Sequence, residues 1–265
     1  MQTVAPPPDQ ETPGAGRRLS GRIVPVGGLT AAEREGMYRV LESSFANVTP
    51  ARFRADLAEK EWVILLADAA SGAVAGFSTI MRLREVVEGR AVLAFFSGDT
   101  VISPRFWGET VLPRLWAQHV FRLAASAAEA EVYWFLISSG YKTYRFLSVF
   151  FREFFPTYRG PTPPRIKGVL DALGRRKFPT EYDPRRGVVR FAQATPLRRG
   201  IAEVSAARLA DPHVAYFLAA NPGHAAGDEL ACLAELRPTN LTAAGRRMLR
   251  SSEFRVPSSE FRVDG

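Results

Sequence analysis

The stretch SPRFWGET at residues 103–110 contains residue types that suit a phosphate-binding turn. A β-rich run stops at Ser103–Pro104, and an amphipathic helical pattern begins at residue 111. The unpaired amides and positive dipole end of a helix attract phosphate, and Gly108 lets the backbone approach a ligand closely. Glu109 opposes this use unless its carboxylate points outward. An ordinary strand-to-helix turn, with a surface Arg105 and a packed Trp107, is the alternative.

Asp99 lies at an irregular point of the predicted third strand. It follows Gly98 inside the strand-like run FFSGDTVI, and a glycine within a strand indicates a bulge or a close backbone approach. His224 and Asp228, four residues apart in a turn, could together serve as a base, but the ordinary polarity of a loop explains them equally well.

Metal, disulfide and nucleophile chemistry are not indicated. The three histidines lack metal-ligand spacing, and the single Cys232 offers neither a zinc set nor an internal disulfide. No nucleophile elbow or phosphate-loop motif of the Walker type occurs. We therefore expect no metal, and a reduced, cytoplasmic setting.

Composition leaves several anionic partners open. The chain has 265 residues, 46% of them hydrophobic, and a net charge of +8. The size and composition predict a substantial core, and the charge favours an anionic partner. Basic runs at 174–177, 183–187 and 197–200 could follow a nucleic-acid backbone, but solvated loop charge is favoured. No apolar run is long enough to predict a membrane span.

The elements that must position these residues follow from the hydrophobic pattern. Helix signals precede three strand-like runs joined by tight turns, and then the pattern crosses over through a helix. The crossover predicts that the last strand lies parallel to the third. The predicted elements are a short strand at 21–27, helices at 29–45 and 49–60, strands at 61–70, 73–87 and 91–102, a helix at 111–126, a strand at 131–139 and a helix at 141–155.

Four regions are predicted along the chain. Residues 1–20 form a disordered leader, 21–160 a core, 161–250 a C-terminal extension that completes or caps the core, and 251–265 a disordered tail in which SSEFRV occurs twice. In the extension the pattern weakens, with a helix at 166–177, a strand at 187–192, mixed short elements at 206–236 and a helix at 241–250.

With Arg105 and Gly108 in a strand–loop–helix context, residues 21–156 resemble the GNAT superfamily of acyl-CoA-dependent acyltransferases. Thr110 departs from the Gly or Ala usual at that motif position. The resemblance implies an α/β fold with a mixed, mostly antiparallel central sheet flanked by helices, here with a C-terminal extension. It also implies acyl-CoA or acetyl-CoA as co-substrate.

The resemblance assigns roles to particular residues. Asp99 would be the general base that removes a proton from the acceptor ammonium, and burial would raise the pKa of its carboxyl toward that task. Bonding of backbone amides in a turn or bulge is the alternative role of Asp99. The family's tyrosine acid would fall near Phe146 or Leu147, so Tyr144, or else Tyr141, is its substitute. The pantetheine arm would lie along one strand and the pyrophosphate in the loop after it, contacted by Thr100, Val101, Ile102, Arg105, Phe106, Trp107, Gly108, Glu109 and Thr110.

The sequence therefore predicts an acyltransferase that moves an acyl group from acyl-CoA, or from an acyl-carrier thioester, to an amine of a small-molecule or protein acceptor. The alternative is a non-catalytic binding protein with the same fold, whose ligand is an acyl thioester carrier or nucleic acid. The aromatic run at 144–155 predicts an apolar tunnel and a donor longer than acetyl, with burial under the extension as the competing explanation.

Overall fold

The computed structural model describes residues 18–127, 131–201 and 203–250. The predicted tail at 251–265 and nearly all of the predicted leader lie outside these residues. Leu19 and Ser20, which the prediction assigned to the leader, are instead the first residues of strand β1, Leu19–Pro25.

Two helices follow β1, and both begin as the sequence predicts. Helix α1, Ala31–Ser44, starts with a reciprocal capping box in which the Thr30 hydroxyl and the Glu33 carboxylate satisfy each other's backbone amides. Helix α2, Pro50–Ala58, is capped by the Thr49 side chain and has proline in its first turn.

Three antiparallel strands form the next part of the sheet. They are β2, Trp62–Asp68, β3, Val74–Val87, and β4, Arg90–Ile102. The turn between β3 and β4 has positive φ at both Glu88 (49°) and Gly89 (75°), as a two-residue hairpin turn requires. This meander confirms the three predicted strands.

A helical crossover then returns the chain to the same sheet. Helix α3, Val111–Ala125, leads to β5, Glu131–Ser138, which pairs in parallel with β4 as predicted. Helix α4, Tyr141–Phe150, is shorter than the predicted helix at 141–155. The chain leaves the helix because residues 151 and 155 form bridges with Leu241 and Leu233 of the extension. The residue before Pro156 is also disfavoured in helical conformation.

The C-terminal residues extend the sheet. The remaining elements are α5, Pro164–Lys177, β6, Tyr182–Asp183, β7, Val188–Val189, α6, Ala206–Leu209, α7, Pro212–Ala220, β8, Glu229–Glu235, and α8, Ala243–Leu249. Strand β8 pairs antiparallel with both β5 and β7, so the order is β1-β2-β3-β4-β5-β8-β7-β6, and the predicted fold class is confirmed. The prediction of mixed short elements at 206–236 missed β8, and the strand predicted at 187–192 is only two residues long.

The sheet is buried on both faces by helices. On one face, Phe95 of β4 joins a core cluster with residues of α3, α4, α7 and β8. On the other face, Phe96 joins a cluster with α5, and Phe77 of β3 joins one with α1 and α2. Successive side chains of a strand point to opposite faces, so each strand contributes to both layers.

Candidate functional site

Strands β4 and β5 separate before they end. Their paired residues stop at Ser97 and Leu136, whereas β4 continues to Ile102 and β5 to Ser138. The two strands therefore open a gap at the carboxyl end of this parallel pair. Crevices outside the carboxyl ends of parallel strands are where ligands bind in open α/β sheets.

A β-bulge lies where the gap opens. The register between β3 and β4 shifts so that Ile80 faces Ser97 and Ser78 faces Thr100, which leaves an extra residue on β4. Gly98 lies close to its neighbours at the bulge, because a Cβ there would lie 2.7 Å from both Lys60 Cε and Thr79 Oγ1, and these side chains would have to shift. The sequence prediction of a bulge or close approach at this glycine is confirmed.

The bulge decides which backbone groups face the gap. Beyond it, the Ser103 amide donates to the Ala75 carbonyl at 2.8 Å. Hydrogen-bonded and non-bonded residues alternate along an antiparallel pair, so Val101, two residues earlier, also bonds to β3. The amides and carbonyls of Thr100 and Ile102 then point away from β3, toward the gap. The Trp107 indole, which donates to the Ile102 carbonyl at 3.0 Å, shows this direction directly.

A groove of about 400 Å3, which we call the α3 groove, runs from the gap to the first turn of α3. Gly108 in its wall has φ of +98°, and a Cβ there would meet open space. Thr110 provides no side-chain cap for α3, so the first amides of the helix remain without that partner. Of the predicted contact residues, those that line the groove are Thr100, Val101, Ile102, Trp107, Gly108, Glu109 and Thr110.

Two of the predicted contact residues do not line the α3 groove. Arg105 lies 3.7 Å from the Asp68 carboxylate and stacks on the ring of Phe106, which is itself in the core. A different cation lies at the groove instead. Lys142 on α4 places its Nζ 3.4 Å from the centre of the Trp107 ring, and the same ammonium donates to the Ile201 carbonyl at 2.7 Å.

A larger cavity of about 520 Å3, the acidic cavity, lies on the α2 and α5 face of the sheet. Asp99 of β4, Asp56 of α2 and Glu229 of β8 line it, together with several aromatic rings. Asp56 forms an ion pair with Lys60, whose Nζ lies 2.6 Å from the Asp56 carboxylate. Arg52, also at the wall, donates to the Gln193 carbonyl.

Two carboxyls of the acidic cavity hold protons near neutral pH. Burial, reinforced by the charge of Asp56, raises the pKa of Asp99 to about 7. Burial, reinforced by Asp99, raises the pKa of Glu229 to about 8. Among the described residues, neither carboxyl forms an ion pair. The sequence did not indicate Glu229, because its strand was not predicted.

The third cavity, the apolar cavity, has a volume of about 50 Å3 and lies on the opposite face, among α3, α4 and α8. Near its polar end, the Ser97 hydroxyl accepts the indole N–H groups of Trp116 and Trp134, each at 2.9 Å. The other polar side chains at its wall, Ser78, Thr100 and Thr143, also lie close to the gap.

The aromatic and histidine residues singled out in the sequence lie elsewhere. Tyr144 is fully buried, and its hydroxyl donates to the Pro156 carbonyl at 2.9 Å. Burial raises the pKa of this phenol above its usual value. Asp228 pairs with Arg190 at 2.8 Å rather than with His224.

Within the described ranges, no group of three or more potential ligands is arranged to hold a metal ion. In the same ranges, no helix combines the length and apolar character needed to cross a membrane.

No protein-family model matches the sequence, and no curated protein matches it. Several solved structures are similar. A probable N-acyltransferase from Enterococcus faecalis is 12% identical, with a TM-score of 0.38, over 51% of this chain and only 33% of that chain. A GNAT family N-acetyltransferase from Escherichia coli in complex with CoA is 15% identical, with a TM-score of 0.37, over 50% and 69%.

A third similar structure, an IAA acetyltransferase from Bacillus cereus, is 8% identical with a TM-score of 0.38, and the match covers 83% of this chain and all of that one. The topology itself contains the parts that the sequence resemblance implied: two early helices, an antiparallel meander, a crossover through α3, and a strand that separates from its parallel neighbour. On that arrangement of strands and helices, the chain has a GNAT-type fold.

Proposed function

We propose that this protein is an acyltransferase that moves an acyl group from acyl-CoA to an amine. The observation that carries the proposal is that three cavities meet at the gap between β4 and β5. Thr100 on β4 and Thr143 on α4 line the α3 groove, the acidic cavity and the apolar cavity alike. A transfer between two substrates needs such a junction, where the reacting atoms come within bonding distance.

The α3 groove suits the CoA part of the donor. Backbone amides near the start of α3 and the Lys142 ammonium offer partners for a pyrophosphate. The Thr100 backbone groups that face the gap can pair with the amide groups of a pantetheine arm. The thioester would then lie where β4 and β5 converge.

The acidic cavity suits an amine acceptor. Asp99 and Glu229 are half-buried, and among the described residues no cation is paired directly with them; Arg52 and Lys60 act only through longer-range attraction. An ammonium entering the cavity would supply that partner and lower both pKa values. Aromatic rings on the walls, such as Phe96 and Phe178, favour an acceptor with an apolar body next to its amine.

In the proposed reaction, the ionised Asp99 carboxylate removes a proton from the acceptor ammonium. The negative charge of this two-carboxyl site is shared with Glu229. The free amine attacks the thioester carbonyl carbon, so that a C–N bond forms and the C–S bond breaks. The electron pair of the C–S bond leaves on the CoA sulfur. The proton that the new amide nitrogen loses returns to the thiolate through solvent, and Asp99 then releases its own proton.

A non-catalytic binding protein for an acyl thioester carrier is the second candidate. The burial of Tyr144 favours it, because the bond to the Pro156 carbonyl occupies that hydroxyl. Among the described residues, no tyrosine lines the α3 groove. Catalysis would then have to proceed without a tyrosine acid.

Release of free CoA thiol from acyl-CoA, measured with a panel of primary amines, distinguishes the two candidates. We expect amine-dependent thiol release that rises with pH through about 7 and falls at least a hundredfold in Asp99→Asn. The variant Glu35→Gln is the control, since that carboxylate is exposed on α1. CoA binding in the parent without thiol release for any amine would support the binding protein.

A further inference from the structure

We infer that the apolar cavity receives the acyl chain and sets the preferred donor at about four to six carbons. The inference rests on the proposed function and names its donor class. The cavity lies on the face of the sheet opposite the acidic cavity, so an acyl chain within it would leave the acceptor side free.

The walls show where such a chain would enter. Thr100, Leu112, Thr143 and Phe146 line both the apolar cavity and the α3 groove, so they mark the mouth. The walls not shared with the groove form the body of the cavity and include Trp116, Ala117, Phe121, Trp134, Leu241 and Met248. A chain that enters at the mouth therefore meets mostly hydrocarbon and aromatic surface, with Ser78 and Ser97 as the polar side chains of the unshared wall.

The polar groups at the wall are already paired or face the gap. The hydroxyls of Ser78 and Thr100 lie 2.7 Å apart and bond each other. Ser97 accepts two indole N–H groups, and indoles are donors only, so its own proton is left for a third group. The carbonyl oxygen of an acyl group in the gap, which opens at Ser97, is an acceptor of the required kind.

The C-terminal extension closes the cavity. Gly245 and Met248 of α8 and Leu241 before it line the wall, and α8 packs on both α3 and α4. A Cβ on Gly245 would lie 2.4 Å from the Phe150 carbonyl, so α8 lies close against the end of α4. The extension thus limits how far a chain can reach.

The volume gives the expected length. A cavity of about 50 Å3 has room for roughly four groups the size of a water molecule, and a methylene is of similar size. With the carbonyl carbon in the gap, this corresponds to about four to six carbons in all. Burial of each methylene should tighten binding by at most about fourfold until the cavity is full.

Isothermal titration with CoA and with acetyl-, butyryl-, hexanoyl-, octanoyl- and dodecanoyl-CoA tests the inference. We expect affinity to rise from acetyl to butyryl or hexanoyl and to fall or level beyond. Failure of CoA itself to bind would contradict the proposed function. Binding of CoA with no dependence on chain length would overturn the cavity assignment alone.

Variants of Met248 should change the preferred acyl-chain length in both directions. Met248→Ala should shift the best chain about two carbons longer, and Met248→Trp should favour acetyl-CoA, with CoA binding within about twofold of the parent in both. Leu249→Ala is the matched control, because its side chain is on the same helix but does not line the cavity. If Met248→Trp fails to fold, Met248→Ala still decides, since an unchanged length profile contradicts the inference.

Discussion

Ser97 and Asp99 are two residues apart on one strand, yet their side chains lie on opposite faces of the sheet. Ser97 bonds the indoles of Trp116 and Trp134 on the α3 face, whereas Asp99 lines the acidic cavity on the α2 face. In a regular strand these two residues would share a face. The extra residue at the Gly98 bulge breaks the alternation and places the two groups on either side of the gap.

Removal of the Ser97 hydroxyl should cost more stability than a serine usually does. Ser97→Ala leaves two buried indole N–H donors without their acceptor, and each unsatisfied donor costs about 1–3 kcal/mol. Urea unfolding followed by tryptophan fluorescence measures the loss. The exposed Ser126→Ala is the control and should change the free energy of unfolding by less than about 0.5 kcal/mol. Equal effects would contradict the bonding shown here.

Stability should depend on pH through Asp99 and Glu229. Folding raises both pKa values, so the folded protein retains protons that the unfolded chain releases above about pH 4. The free energy of unfolding therefore falls as pH rises toward 7–8, by up to about 1.4 kcal/mol per pH unit for each group.

Denaturation of Asp99→Asn and Glu229→Gln between pH 5 and 9 checks this dependence. Each variant should show a shallower fall than the parent and should be more stable than the parent at pH 9. Parallel curves for the parent, both variants and the Glu35→Gln control would show that neither carboxyl is perturbed by folding.

Local patterns predicted most of the core, because caps and turns are short-range devices. Thr30 with Glu33 starts a helix, and the Glu88–Gly89 turn reverses the chain; neither needs a tertiary partner. Asp99 could be singled out from the glycine before it. The face on which Asp99 lies could not, because it depends on how β4 pairs with β3 across the bulge.

Strand β8 shows why the rest of the site was not predicted. Its sequence, ELACLAE, consists of residues with high helix propensity apart from Cys232, and it lacks β-branched side chains. It forms a strand because β5 and β7 supply hydrogen-bonding partners on both sides. Glu229 reaches the acidic cavity only through that pairing, so nothing local to the residue marks it.

Lys142, rather than Arg105, should supply the charge that holds a CoA pyrophosphate. Lys142 lines the α3 groove, whereas Arg105 lies beside Asp68 and outside it. Loss of one exposed charge–phosphate contact costs about 1 kcal/mol, which corresponds to about fivefold in affinity. Titration of CoA into Lys142→Gln and Arg105→Gln checks this, with Arg105→Gln expected within about twofold of the parent. The reverse order would restore the role that the sequence motif assigns to Arg105.

Gly108→Glu should abolish CoA binding without unfolding the protein. Gly108 has φ of +98° and faces open space in the groove wall, so the new side chain would fit but would bring a carboxylate to the phosphate position. Any residue other than glycine at this φ also costs about 1–2 kcal/mol of backbone strain.

Gly89→Glu is the matched control, because Gly89 has φ of +75° and open space at the β3–β4 turn. Both variants should lose similar stability in urea, but only Gly108→Glu should lose CoA affinity, by more than tenfold. Retained affinity in Gly108→Glu would exclude the start of α3 as the phosphate site.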